Sequence, residues 1–292
     1  MKLEPSILIA LTALVAACGG ATPSEPTSTT PTTPPPSASP ATPSAPAAPT
    51  APTAPAAPAA PAAEPIADRY PGDVNIQNDP DVLFTEMAEE SSLAELFARW
   101  SANSSGTSIA LDPTTSAPGS PGHQSVRLFT TAGPPGPGTI QTAMLYKYFP
   151  GGYDGTIHAR WYVKYNSTGT FHHSGPRIGG NNPGSPNVLN SPAGVKPTGS
   201  DFFYLGAEPT GVNANPTGHS TFDFYNYWMH QRGTTAFPGL FYGNKFINSP
   251  AVGIDTDIWT CVEVQITLND PVSGFSGEIA MWINGIEVAR IK

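Results

Sequence analysis

Residues 19–66 are almost entirely Ala, Pro, Thr and Ser, and Pro-Ala-Ala repeats without a break over residues 55–63. No other feature restricts the chain so strongly. Each proline fixes φ and removes a backbone donor, and a segment without large apolar side chains cannot bury a core. The block therefore reads as an extended, semi-rigid polyproline II spacer, with a reach on the order of 100 Å or more at about 3.1 Å per residue. It divides the 292 residues into a leader at 1–18, the spacer at 19–66, and a folded unit at 67–292. The last is long enough for one β-sandwich or barrel.

The leader places Lys2 before the apolar run 7–17, which closes on Leu14-Val15-Ala16-Ala17-Cys18. A basic start, a short apolar core and small residues before a cysteine make an export signal. The pattern resembles a bacterial lipoprotein signal, in which Cys18 is lipidated and becomes the new N-terminus. The alternative is an ordinary secretory signal with an incidental cysteine. With Cys18 acylated, Cys261 has no partner, so no structural disulfide is expected. The expected location is the cell envelope, at the outer membrane or cell surface.

Only 12% of residues are charged and the formal charge is −9. No basic run is present, which argues against nucleic acid as a general partner. No zinc signature, phosphate-binding loop or Gly-x-Ser-x-Gly occurs, and no closely spaced acidic pair marks a glycoside hydrolase. Asp255-Thr256-Asp257 is a weak calcium signal, so no cofactor is expected beyond that.

Helical spacing is confined to residues 84–100, where Leu93, Leu96, Phe97 and Trp100 share a face. An alternative within that window is a strand at 82–85 followed by a short helix. Beyond it, short β-type runs alternate with Gly/Pro/Asn turns, the all-β pattern. Runs are expected at 107–111, 124–131, 139–149, 157–165, 171–180, 202–205, 221–231, 259–268, 278–283 and 286–291. Asn284-Gly285 between the last two is the strongest hairpin signal.

Two of these runs carry candidate chemistry. In 221–231, Thr-Phe-Asp-Phe-Tyr-Asn-Tyr-Trp-Met-His-Gln, strand alternation puts Asp223, Tyr225, Tyr227, Met229 and Gln231 on one face. Tyr225 and Tyr227 then stand about 7 Å apart. In 157–165, His158, Arg160, Tyr162 and Lys164 share the polar face, either solvated or lining a ligand groove. Between these runs, Phe-His-His-Ser-Gly-Pro-Arg-Ile-Gly-Gly at 171–180 leads into an Asn/Pro/Gly-rich loop at 181–200.

The order of the Arg-Trp-Tyr-Val-Lys strand, the His-His…Arg-Ile-Gly-Gly segment, the Tyr-Asn-Tyr-Trp strand, Trp-Thr-Cys-Val-Glu-Val-Gln-Ile-Thr-Leu-Asn and the Gly-Glu-Ile-Ala-Met-Trp-Ile-Asn-Gly hairpin resembles the concanavalin A-like jelly-roll superfamily. Within it, the chain is most similar to polysaccharide lyases of the alginate and glucuronan lyase type, over roughly residues 78–292. The resemblance implies an all-β jelly-roll sandwich of two antiparallel sheets, with a short N-terminal helix and a concave face for an acidic polysaccharide. It implies chemistry at a Tyr-x-Tyr strand, matched by Tyr225 and Tyr227, and at a lysine, where this chain instead has His172, His173 and Arg177.

The reaction itself, β-elimination, removes the proton beside a uronate carboxylate and expels the 4-linked oxygen. Arg177 suits the stabilisation of carboxylate charge. Tyr227 or Tyr225 suits base and acid, provided a nearby cation lowers a phenol pKa, and His173 is the alternative base. Arg160, Tyr162, Lys164, His158, Gln231 and Trp282 are the expected substrate-binding residues. A non-catalytic, lectin-like module on the same concave face is the competing expectation, and in either case a monomer is expected.

Overall fold

The structure, a computed structural model, describes residues 6–15, 66–103, 108–118, 123–129, 141–153, 155–166, 174–182, 193–210, 219–246 and 253–292. Its strands are β1 (Ser6–Val15), β2 (Ala102–Asn103), β3 (Ile109–Asp112), β4 (Ser125–Leu128), β5 (Gln141–Phe149), β6 (Thr156–Val163), β7 (Ser174–Asn181), β8 (Phe202–Thr210), β9 (His219–Tyr227), β10 (Asn244–Phe246), β11 (Gly253–Asp255), β12 (Thr260–Thr267), β13 (Glu278–Ile283) and β14 (Ile286–Ile291). Two short helices, α1 (Ile66–Arg69) and α2 (Leu93–Arg99), precede most of them. The fold is all-β, as expected.

A wide antiparallel sheet runs β10-β9-β8-β7-β1-β5-β2, with β11 also on β9, and a narrow one runs β14-β13-β12-β6. Their inner faces meet in one apolar layer. Ile178, Leu205, Ala207, Phe222 and Phe224 come from the wide sheet, and Ile157, Val262, Val264, Ile266, Met281 and Ile283 from the narrow one. Alternation produces this layer: on β12 the residues at 260, 262, 264 and 266 are buried and those between them are not. The β13–β14 hairpin turns at Asn284 (φ 50°) and Gly285 (φ 80°), the left-handed pair that an Asn-Gly turn supplies.

The wide sheet extends past the narrow one. There, α2 and the β3–β4 hairpin cover Ala143 and Leu145 of β5 with Leu96, Trp100 and Ile109. The helix is shorter than the window 84–100. Ser92 caps its start, accepting the Glu95 amide, while Glu95 accepts from the Ser91 amide at 2.9 Å. Ahead of that cap, Ala88 holds φ 59° and Glu86 binds its amide, so the backbone there is not helical. The alternative of a strand at 82–85 is not realised either.

Two further segments differ from expectation. The run 202–205 is the start of a strand reaching Thr210. The strand expected over 221–231 begins at His219 and ends at Tyr227, so Met229 and Gln231 lie beyond it. Ser6–Val15, which overlaps the apolar run 7–17 of the leader, forms a strand paired antiparallel with both β5 and β7. An apolar ten-residue run carries no periodicity that separates a buried strand from other apolar segments. Among the described residues no helix is long and apolar enough to cross a membrane.

Candidate functional site

Because Phe222 and Phe224 point into the core, Asp223, Tyr225 and Tyr227 point out of the wide sheet. On β8 the same parity sends Leu205 and Ala207 inward and Tyr204, Gly206 and Glu208 outward. On β7 it sends Ile178 inward and Arg177 outward. On β5 it sends Ala143 and Leu145 inward and Tyr146 and Tyr148 outward. Register then fixes who meets whom. Tyr204 lies opposite Tyr227, Gly206 opposite Tyr225, and Arg177 opposite Gly206. Glycine at 206 leaves its own position bare, and the Glu208 carboxylate lies beside it, its Oε2 3.7 Å from where a Cβ would stand.

The result is an arginine among phenols. The Arg177 Cζ lies 5.0 Å from the centre of the Tyr204 ring, a cation–π contact. Tyr204 meets Tyr227 edge to face at 5.6 Å, and Tyr227 meets Tyr225 likewise at 5.7 Å. The Tyr225 and Tyr227 hydroxyl oxygens are 3.4 Å apart. The Gly243 amide donates to the Tyr225 oxygen at 3.0 Å. A Cβ at Gly243 would fall 2.4 Å from the Tyr225 ring, so glycine there is what lets the ring lie against the 241–243 backbone.

Burial pushes the Tyr227 phenol well above its ordinary value, and its hydrogen bond with Tyr225 adds to this; Arg177 pulls the other way and loses. Burial likewise raises Tyr204 and Tyr146, again against Arg177. The expectation that a nearby cation lowers the phenol pKa is therefore overturned at Tyr227. Taking a phenolate out of water costs more than Arg177 returns. Tyr227 is a neutral proton donor at ordinary pH.

The second expected group lies elsewhere. His158, Arg160 and Tyr162 belong to β6, so they point out of the narrow sheet, with the whole apolar layer between them and Tyr225. Arg160 donates to Glu263 through Nε (2.8 Å) and Nη2 (2.7 Å) and to Asp73 through Nη1 (2.6 Å). Tyr162 donates to Asp73 at 2.8 Å, and His158 Nδ1 is 3.1 Å from Glu263. Burial works to raise the Glu263 carboxyl, but His158 and Arg160 hold it below its ordinary value. Lys164 donates to Thr115 and lies over Trp259. Trp282 stacks on His158 at 6.0 Å and lies under Arg290.

His158, Arg160, Tyr162 and Trp282 thus belong to a separate surface cluster, in which Arg160 and Tyr162 hold the segment around Asp73, while Lys164 pairs with Thr115 and Trp259. They do not share a groove with the tyrosines. Gln231 is buried, 2% exposed, and its amide nitrogen donates to the Tyr242 carbonyl, so it braces a loop rather than facing outward. His173, His172 and Cys18 lie outside the described residues. Among the described residues no group of three or more His, Cys, Asp or Glu is placed to hold a metal ion.

Sequence reasoning missed Tyr204, Tyr146 and Lys245. The parity of the 202–205 and 139–149 runs gave each tyrosine a face, but no local signal gives register between strands. Lys245 sits in a three-residue strand directly opposite Tyr225, which puts it on the same face. Glu208 and Asp223, a directly opposed pair on that face, are 2% and 1% exposed. No family, no curated protein and no solved structure matches the chain.

Proposed function

We propose that the chain is a jelly-roll protein resembling polysaccharide lyases, exported as an envelope lipoprotein through Cys18 and held out on its Pro/Ala stalk, that cleaves a uronate polymer by β-elimination. One observation carries this reading: Arg177, Tyr204, Tyr225 and Tyr227 come from three adjacent strands onto one face. Arg177 binds the uronate carboxylate and stabilises the charge that grows there when the adjacent C–H bond breaks. Tyr225, acting as its phenolate, takes that proton and ends as the neutral phenol. The electron pair forms the new C=C bond as the C–O bond to the 4-linked sugar breaks, and Tyr227, held neutral, returns a proton to the leaving oxygen. Cleavage ahead of Cys18 would remove β1 and leave the facing edges of β5 and β7 open; the Arg177–Tyr204–Tyr225–Tyr227 group depends only on β7, β8 and β9.

A binding-only, lectin-like reading is favoured by a different observation. Tyr227, Tyr204 and Tyr146 are only 4–6% exposed, so these rings shape the face more than they meet a ligand. The two readings separate when the protein is incubated with alginate, glucuronan and pectate while ultraviolet absorbance of unsaturated ends is followed. Turnover that falls by about 10²–10⁴ in Tyr227→Phe, the range for loss of a general acid, with unchanged folding, supports elimination. Retention on a polyuronate column with no product from any polymer leaves the binding reading.

A further inference from the structure

We infer that Lys245 forms a second anion subsite on the tyrosine face, so that the ligand is a polyanionic sugar chain laid across the strands, with Arg177 and Lys245 meeting carboxylates on different residues of the chain. The inference rests on the proposed uronate site. Arg177, Gly206, Tyr225 and Lys245 are successive register partners on β7, β8, β9 and β10. All four therefore lie on one line perpendicular to the strands and project on one side. Three interstrand spacings of about 4.8 Å put the two cations about 14 Å apart at the backbone, more than one sugar ring spans.

What lies between and beyond them suits a glycan. Gly206 adds no side chain of its own to the line, the Glu208 Oε2 lying 3.7 Å from where a Cβ would stand, and the half-buried Tyr225 ring stands between Gly206 and Lys245. Beyond Tyr225, the loop that leads into β10 carries Phe237 and Tyr242, 57% and 38% exposed, with their rings edge to face at 6.0 Å. Exposed aromatic faces pack on sugar C–H groups, and a cation beside them meets a carboxylate. The same loop is tied to the site through the Gly243 amide on Tyr225 and the Gln231 side chain on the Tyr242 carbonyl. Lys245 itself is exposed, at the edge of the sheet. An edge lysine also discourages pairing with a second sheet, a role that is indifferent to uronates.

The test uses the full chain, its Lys245→Gln and Lys245→Arg variants, and uronate probes of two lengths (disaccharides and longer oligomers from alginate, glucuronan and pectate), with a neutral dextran oligomer as control. Wild type is expected to bind one of the longer uronate oligomers more tightly than its disaccharide, with the gain shrinking as salt is added. Lys245→Gln should lose about fivefold more on that longer oligomer than on the disaccharide, the scale of a partly solvated ion pair, with a shallower salt dependence; Lys245→Arg should recover it. Equal length and salt dependence in wild type and Lys245→Gln overturns the subsite while leaving the uronate site standing. Failure of wild type on every uronate, or equal binding of dextran, removes both.

Discussion

On the outer face of the narrow sheet, the Arg160 guanidinium sits between Glu263 and Asp73. On the outer face of the wide sheet, the Arg177 guanidinium lies against the ring of Tyr204, two strands from Tyr225 and within electrostatic reach of Tyr227 and Tyr146. Both faces combine an arginine with a tyrosine on neighbouring positions, and their chemistry differs because of what the tyrosine binds. Tyr162 donates its proton to Asp73, a carboxylate that already neutralises Arg160. Tyr227 shares its hydrogen bond with another phenol, Tyr225, rather than with a carboxylate. The first arrangement closes on itself and fastens the chain segment that precedes the sandwich. The second presents donors and a cation on a surface bounded by further aromatics. Residue type alone does not distinguish a clasp from a site; which groups the phenol and the guanidinium meet does.

The largest test of this contrast is a pair of substitutions. Arg177→Gln should lower turnover of the preferred uronate polymer by about 10²-fold or more, as removal of a transition-state charge donor does. Arg160→Gln should leave turnover within about twofold. It should instead lower stability by about 1–3 kcal/mol in denaturant melts, because Glu263 and Asp73 are left partly buried and without their cation. The reverse outcome would move the site to the narrow sheet.

A smaller effect is expected at Gly243. Gly243→Ala places a methyl group where the Tyr225 ring now lies, so the ring must shift. A misplacement of about 1 Å at a reacting group costs up to about 10²-fold, and a loss of roughly tenfold in turnover with near-normal polymer binding is expected. Unchanged turnover would remove Tyr225 from the chemistry while leaving Arg177 and Tyr227 in it.

The smallest effect, a matter of stability, distinguishes the two faces by pH. The Glu263 carboxyl is held below its ordinary value of 4.5, so its contribution is present above that pH and is lost as pH falls through the folded-state value. The buried phenols Tyr204 and Tyr227 are held above their ordinary value of 10.0, so their contribution is present below that pH and is lost as pH rises past it. Glu263→Gln should flatten the acid limb of a stability profile and leave the alkaline limb alone. Tyr204→Phe should do the opposite. A single substitution that flattens both limbs would mean that the two faces are coupled.

Much of the fold was legible locally. Strict alternation at 157–165 and 259–268 gave the inward and outward sets that the structure has, and Asn284-Gly285 gave its hairpin, because these depend on residues within one or two strands. The spacing of Leu93, Leu96, Phe97 and Trp100 marks the helix, but the window 84–100 begins too early, because the start is decided by the hydrogen bonds of one capping residue, Ser92. Gln231 was placed on the tyrosine face because its parity matched; the strand ends four residues earlier, at Tyr227.

The sequence by itself determined that this chain carries a proline-rich block at residues 19–66, short β-type runs in the part that follows, and Tyr225 and Tyr227 on one side of one strand. Those conclusions need only φ restriction, period-two alternation and turn chemistry. Only the tertiary structure decided that the Arg160 strand belongs to the other sheet, that Arg177 meets Tyr204, and that Lys245 stands in line with Tyr225. Period-two alternation assigns each side chain to a face but not to a neighbour. Neighbours are set by strand order and register, which arise from contacts between residues far apart in the chain.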